Sequence, residues 1–384
     1  MRVWIVNPFD NLPVEGFRAQ RFWLMARAFA LAGHEVTLWS ADFSHALKKP
    51  REIGAEALER AREGLCGGTL KLVHEPPYGT NISLKRLWSH WRWAVNWERE
   101  AMREPPPNVI VVSSPPLSIG EKARILASRC GARLVVDVMD AWPETFERVV
   151  PRWMLSPLRR KVAATYAAAA AITVVARRYM DLVQGKYGVT RPVRLFYHGI
   201  DLDGIPERRR VRAPGDPVRV VYVGNMSATY DLLTAIEAVK GMDGVTLTLA
   251  GKGPDEPKLR AAASGAGNIS FAGYLSESAM RDLLSEGDIG LVPMRGESCV
   301  GIPYKLADYA AASLKIASSL GGELEELLSR THAGLSYSNG DVDGLRRTIS
   351  ELASMDCDLS RLRQMFDAKS IYSGYVEFVE GLGE

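Results

Sequence analysis

Short apolar runs rich in β-branched residues alternate with longer amphipathic stretches along the whole chain, and the alternation breaks only once. The apolar runs fall at residues 2–6, 35–39, 70–74, 109–113, 133–138, 171–175 and 193–196. They resume at 219–223, 245–250, 269–271, 289–292 and 316–318. Helical stretches separate them, near 18–31, 83–103, 118–128, 156–170 and 178–186, then 231–240, 257–263, 277–285, 303–312, 322–328, 342–354 and 359–384. A crossover long enough to hold a helix returns the chain to the sheet in the same direction, so this order predicts parallel strands covered by helices on both faces. The break at 203–217 is rich in Arg, Pro and Gly and lacks apolar periodicity, which reads as a linker. The expected fold class is α/β, with two doubly wound domains of similar size.

Composition narrows the classes. A length of 384 residues suits two domains. An apolar share of 47% is enough to fill two cores, and a formal net charge of +3 is too small to argue for nucleic acid. The four cysteines, Cys66, Cys130, Cys299 and Cys357, form no CxxC pair and have no histidine at zinc-ligand spacing. No metal site is expected, and the thiols read as reduced. Asn7-Pro8 interrupts the first apolar run, which is unlike a signal peptide. No apolar run reaches membrane-spanning length. A cytoplasmic location is the expectation.

Candidate chemistry concentrates after strand ends. Residues 290–309, GLVPMRGESCVGIPYKLADY, lead from a strand through a polar loop into a helix expected to open at Pro303. Lys305 and Asp308 lie three apart on one helical face. A cation for phosphates and a carboxylate for hydroxyls suit a sugar nucleotide; the same pair also suits an ordinary surface contact. Gly301 and Ile302 can offer backbone N–H groups to phosphates. Gly16, after the first strand, allows close backbone approach to a phosphate or closes a plain turn. Its loop is not GxGxxG, and neither is the loop at Gly251, which disfavours a nicotinamide cofactor. Asp140 follows another strand and precedes Trp142 and Glu144, a set suited to orienting a hydroxyl and stacking on a sugar face.

Between residues 85 and 97, KRLWSHWRWAVNW, four tryptophans interleave with Lys85, Arg86, His90 and Arg92. This suits a membrane interface or a buried helix face. Single-stranded nucleic acid is the least favoured reading.

Six segments together resemble the glycosyltransferase family 4 enzymes with the GT-B fold. They are AGHEVTL at 32–38, SSPP at 113–116, DVMDAWPE at 137–144, YVGN at 222–225, LAGKGP at 249–254 and IPYKLADY at 302–309. The branch they resemble transfers amino- or acetamido-sugars in polysaccharide and lipid-linked saccharide assembly. The resemblance implies two Rossmann-like domains facing a cleft. An acceptor domain would span 1–202, a linker 203–217 and a nucleotide-sugar domain 218–358. A C-terminal helix, 359–384, would cross back to the first domain. It implies a retaining transferase that uses a nucleotide sugar, UDP-linked by preference, with no protein-bound metal or other cofactor. The acceptor would be lipid-linked or a glycan; the tryptophans and cations of residues 85–97 are what would give peripheral contact at the cytoplasmic membrane face.

On the same resemblance Lys305 neutralises the departing diphosphate and Asp308 holds the ribose. Glu297 is the first acid of the family's acidic pair, although it lies 11 residues from Asp308 rather than the usual eight. Gly224, Asn225 and Gly251 would line the donor. The family's Arg and Lys are missing after Gly224, which leaves Lys305, Arg295 or Lys252 to supply the cation. Two other readings remain at this stage: a sugar-nucleotide epimerase on the same architecture, and a weakly active partner subunit of an assembly complex.

Overall fold

The computed structural model describes the chain apart from residues 81–82, 148–149, 204, 206–211, 297–299 and 384. It divides into two compact units, one made of Met1–Asp201 with Ala368–Glu384, the other of Leu202–Asp367. Residues 204 and 206–211 of the expected linker, and Glu297 and Cys299, lie outside the described residues. Cys66, Cys130 and Cys357 are free thiols.

The first unit holds a seven-stranded sheet. Its strands are β1 (Arg2–Val6), β2 (Glu35–Ala41), β3 (Thr69–Val73), β4 (Val109–Ser114), β5 (Arg133–Val138), β6 (Ala171–Val174) and β7 (Val193–Leu195). They lie in the order β3-β2-β1-β4-β5-β6-β7, all parallel. Every residue of β4 is buried, because helices cover both faces and leave no wet side to alternate with.

Helix Arg21–Leu31 packs on one face together with the last helix, Ala368–Glu380, through Phe22, Phe29, Tyr372 and Tyr375. Helices Leu84–Ala101, Leu117–Cys130 and Ser156–Ala168 pack side by side. Right-handed crossovers place them on the opposite face.

Arg21 opens helix Arg21–Leu31 and is buried. Its guanidinium is fully buried, 2.9 Å from Asp137 at the end of β5. It also donates to the carbonyls of Phe196 and Tyr197, at 3.0 and 2.9 Å. Thr173 of β6 donates to the same carboxylate at 3.1 Å. One ion pair thus ties a helix to the ends of three chain segments.

The stretch 359–384 is not one helix. Ser360–Met365 packs on helix Lys305–Ala311 within the second unit, and only the chain from Ala368 joins the first. Gly199 sets that joint: a Cβ there would stand 2.9 Å from the Cα of Ala368. The Ala368 N–H donates to the Ile200 carbonyl at 2.9 Å.

The second unit holds six parallel strands: β8 (Val218–Val223), β9 (Val245–Ala250), β10 (Ile269–Gly273), β11 (Ile289–Val292), β12 (Lys315–Ser318) and β13 (Gly334–Ser336). Their order is β10-β9-β8-β11-β12-β13. Each sheet is therefore doubly wound, with the order reversing between β1 and β4 and again between β8 and β11. Helix Ala55–Gly64 and strand β13 were not expected from sequence. The helix buries only Ala57 and Ala61, so it shows no apolar stripe, and the strand is three residues long.

Candidate functional site

In open parallel sheets, ligands settle beyond the carboxyl ends of the strands where the order reverses. In the second unit this is the gap between β8 and β11. The two strands pair only at Val220–Ile289 and Val221–Gly290. Beyond that, the Tyr309 hydroxyl takes over: it accepts from the Val223 N–H at 3.0 Å and donates to the Leu291 carbonyl at 3.2 Å. Gly290 admits the ring, since a Cβ there would lie 2.5 Å from it.

Lys305 lies one helical turn before Tyr309 on the same face and is carried to the gap. The helix begins at Lys305 rather than Pro303 and ends at Ala311. So short a helix has little dipole to offer, and the charge at this place is the lysine's own. Its side chain is buried, and Nζ has no hydrogen-bond partner among the described residues. Nζ lies 3.8 Å from the ring centroids of both Tyr222 and Tyr230. Burial pushes the ammonium well below its ordinary value. The two ring faces offset part of that cost, at ~0.5–2 kcal/mol each. An anion in the gap would offset the rest. Asp308, three residues on, is also buried.

The glycines expected to line this site do lie at strand ends. Gly224 has φ +149 and Gly251 has φ +132. A Cβ on Gly251 would fall 1.8 Å from the Gly224 carbonyl oxygen, so the loops after β8 and β9 touch backbone to backbone. The Met226 N–H donates to the Lys252 carbonyl at 3.0 Å and locks them together. Asn225 accepts the Tyr222 hydroxyl on its carbonyl at 2.6 Å, which leaves its side chain at an exposed position. Gly301 and Ile302 are buried just after the loop that contains Glu297.

In the first unit, both carboxylate oxygens of Asp140 are engaged by its own loop. Oδ1 accepts from the Ala141 N–H at 2.7 Å and the Thr145 hydroxyl at 3.3 Å, and Oδ2 from the Trp142 indole at 3.1 Å. Burial raises its pKa, and these bonds oppose the rise. Asp140 thereby fixes the Trp142 ring. Glu144 is held as an anchor: Oε1 accepts from Arg159 at 3.2 Å, Lys186 at 3.1 Å and Tyr187 at 2.9 Å. Gly16, at φ +82, closes the 3₁₀ turn Pro13–Glu15, with nothing within 4 Å of an added Cβ.

Sequence reading missed a cluster around Trp142. Phe9 follows β1, His45 follows β2, Tyr78 follows β3, and Arg86 and His90 lie on helix Leu84–Ala101. The Phe9 ring lies 5.0 Å from His45 and 4.9 Å from His90. The Arg86 guanidinium lies over the rings of Phe9, Tyr78 and Trp142, at 5.7, 5.9 and 5.5 Å. Burial pushes both histidines down to about 3, aided at His45 first by Lys48 and at His90 first by Arg86. They are neutral at physiological pH. Lone residues in separate loops share no spacing, so only the fold reveals the group.

Among the described residues no group of His, Cys, Asp or Glu is arranged to hold a metal ion, and no helix is long and apolar enough to cross a membrane.

Residues 19–203 match the family model described as Glycosyltransferase Family 4, and residues 217–355 the one described as Glycosyl transferases group 1. A protein named as a colanic acid biosynthesis glycosyltransferase, WcaL, from Salmonella typhimurium is 25% identical over 170 residues, which is 42% of this chain and 42% of that one. Its Escherichia coli counterpart is 24% identical over the same share of each chain. The alignment thus spans less than half the length of these curated relatives. Among solved structures, sucrose-phosphate synthase from Thermosynechococcus elongatus superposes with a TM-score of 0.73 at 12% identity, over 100% of this chain and 99% of that one. Anabaena HepE in complex with UDP and glucose gives 0.67 at 12% identity, over 99% and 100%. At such identities the likeness is one of fold.

Proposed function

Since the chain belongs to the family 4 glycosyltransferases, we propose that it moves a sugar from a UDP-sugar to a lipid-linked or glycan acceptor of cell-surface polysaccharide assembly, with retention of anomeric configuration. The bond from the anomeric carbon to the diphosphate oxygen breaks, and a bond to an acceptor hydroxyl forms on the same face. The hydroxyl proton leaves with the diphosphate. The observation that carries this reading is the buried Lys305 Nζ without a hydrogen-bond partner at the β8–β11 gap. A charge-assisted contact to the departing diphosphate would offset its desolvation and grow as negative charge develops there.

Asp308 would hold the ribose, and Gly224, Asn225, Gly251, Gly301 and Ile302 would let backbone approach the donor. Glu297 is proposed beside the sugar. Gly16 is proposed at the phosphates. In the first unit Asp140 would act mainly by positioning Trp142. Trp142 and Arg86 would then meet the acceptor, with Glu144 anchoring the loop. The UDP preference rests on likeness to a fold relative whose complex contains UDP. With Lys305 as the cation, transfer is expected to survive metal chelation. The proposed place of action is the cytoplasmic membrane face.

Calorimetric titration with UDP tests the reading. Binding that is lost in Lys305→Ala is the expected result. An absence of UDP binding by the unaltered chain, or equal binding by the variant, overturns it. Incubation with UDP-sugars but no acceptor separates transfer from epimerisation, which would convert the sugar by itself.

A further inference from the structure

Helix Leu84–Ala101 has two unlike faces. Trp93 and Trp97 are fully buried and stack, with ring centroids 6.3 Å apart and planes 2° from parallel. Opposite them Leu84, Leu87, Trp88 and Trp91 are 83%, 52%, 50% and 48% exposed. Their spacing places all four on one stripe. No Asp or Glu occurs between residues 84 and 97, whereas Lys85, Arg86 and Arg92 do. The first acid, Glu98, pairs with Lys122 on the neighbouring helix. A second exposed pair, Trp153 and Met154, stands just ahead of helix Ser156–Ala168. Both helices run back from the carboxyl rim of the same sheet face.

We propose that this stripe docks the chain on an anionic lipid bilayer. Large apolar side chains collected on one face in water mark a contact surface rather than scattered exposure. Indoles beside cations suit the headgroup region, and each Lys or Arg near an anionic surface adds attraction. A second copy meeting through the same face would set Lys85 and Arg92, which flank the stripe, against their own kind, whereas acidic headgroups neutralise them. Docking would bring the cluster of Phe9, His45, Tyr78 and Trp142, which adjoins Arg86, close to the headgroups. That consequence rests on the transferase reading; the docking itself does not.

The experiment is co-sedimentation of the full chain with vesicles of equal parts phosphatidylcholine and phosphatidylglycerol, without any sugar present. The chain is expected to bind them, to ignore pure phosphatidylcholine and to be released by salt. Trp88→Ser with Trp91→Ser should lower partitioning at least about tenfold, with far-ultraviolet dichroism and the cooperative thermal melt kept. Leu31→Ser, at an exposed leucine on helix Arg21–Leu31, should change nothing. The proposal is overturned by an absence of vesicle binding, by equal binding to neutral vesicles, or by a double variant that binds like the parent. It is also overturned if light scattering shows the parent to be a dimer that the double variant dissolves, because the stripe would then be covered by a second copy.

Discussion

A Cβ on Gly224 would stand 2.9 Å from Nζ of Lys305. A strand-end glycine and a helix-start lysine therefore compete for one space, and the lysine holds it. Gly224→Ala should push the ammonium out of the gap while β8 stays paired through the Gly224 N–H to Ala250. UDP affinity is expected to fall about tenfold or more, since charge-assisted contacts contribute ~1.5–3 kcal/mol. Calorimetry checks this, with circular dichroism to show the fold retained.

Lys305→Met separates binding from stability. Burial holds the Lys305 pKa well below its ordinary value. A base whose folded pKa lies below its unfolded value of ~10.4 costs stability at lower pH, because only the unfolded chain takes up the proton readily. The variant should therefore melt higher than the parent at neutral pH without ligand, and the gain should vanish as pH rises past the unfolded value. With UDP present the parent should gain stability and the variant should not. Thermal melts across pH, with and without UDP, read both effects.

Two glycines with positive φ should respond differently to alanine. At Gly251 the new Cβ meets the Gly224 carbonyl at 1.8 Å, backbone against backbone. Neither loop can yield without breaking the contact, so a loss of about 3 kcal/mol is expected. Gly16 has open space around it and only its φ of +82 to strain, so a loss of ~1–2 kcal/mol is expected. Urea unfolding measures the difference.

Asp10 should make stability fall as pH rises. Burial raises its pKa to about 7, against the pull of hydrogen bonds from the Phe22 and Trp23 N–H groups. An acid with a raised folded pKa contributes its stability fully below the unfolded value of ~3.9 and loses it as pH climbs through the folded one. Three units correspond to ~4 kcal/mol. Relative to the parent, Asp10→Asn should therefore gain stability between pH 4 and pH 8. Parallel urea titrations across that range test it, and a constant difference between the two proteins would refute it.

Most of the order of strands and helices was legible because the central strands, such as β4, are buried on both faces and apolar throughout, and most helices show a stripe; helix Ala55–Gly64, which has none, was not. The positions of Gly224 and Gly251 at strand ends, and of Lys305 at the helix start after β11, were legible for a related reason: each follows directly from where a strand of a doubly wound sheet stops. The amphipathic period at residues 84–101 showed that faces exist, but could not say which face had neighbours. Trp93 and Trp97 went to the core and Trp88 and Trp91 to water only because helix Leu117–Cys130 and the sheet lie on one side. Arg21 meets Asp137 across 116 residues of chain, and the Arg86 cluster gathers from four loops and one helix. No local pattern encodes such pairings, because burial and charge compensation depend on what the rest of the chain brings near. Sequence determined the two doubly wound sheets and where along them chemistry could sit. Tertiary structure decided which charges are consumed as anchors, such as Glu144, and that Lys305 is left buried without a hydrogen-bond partner among the described residues.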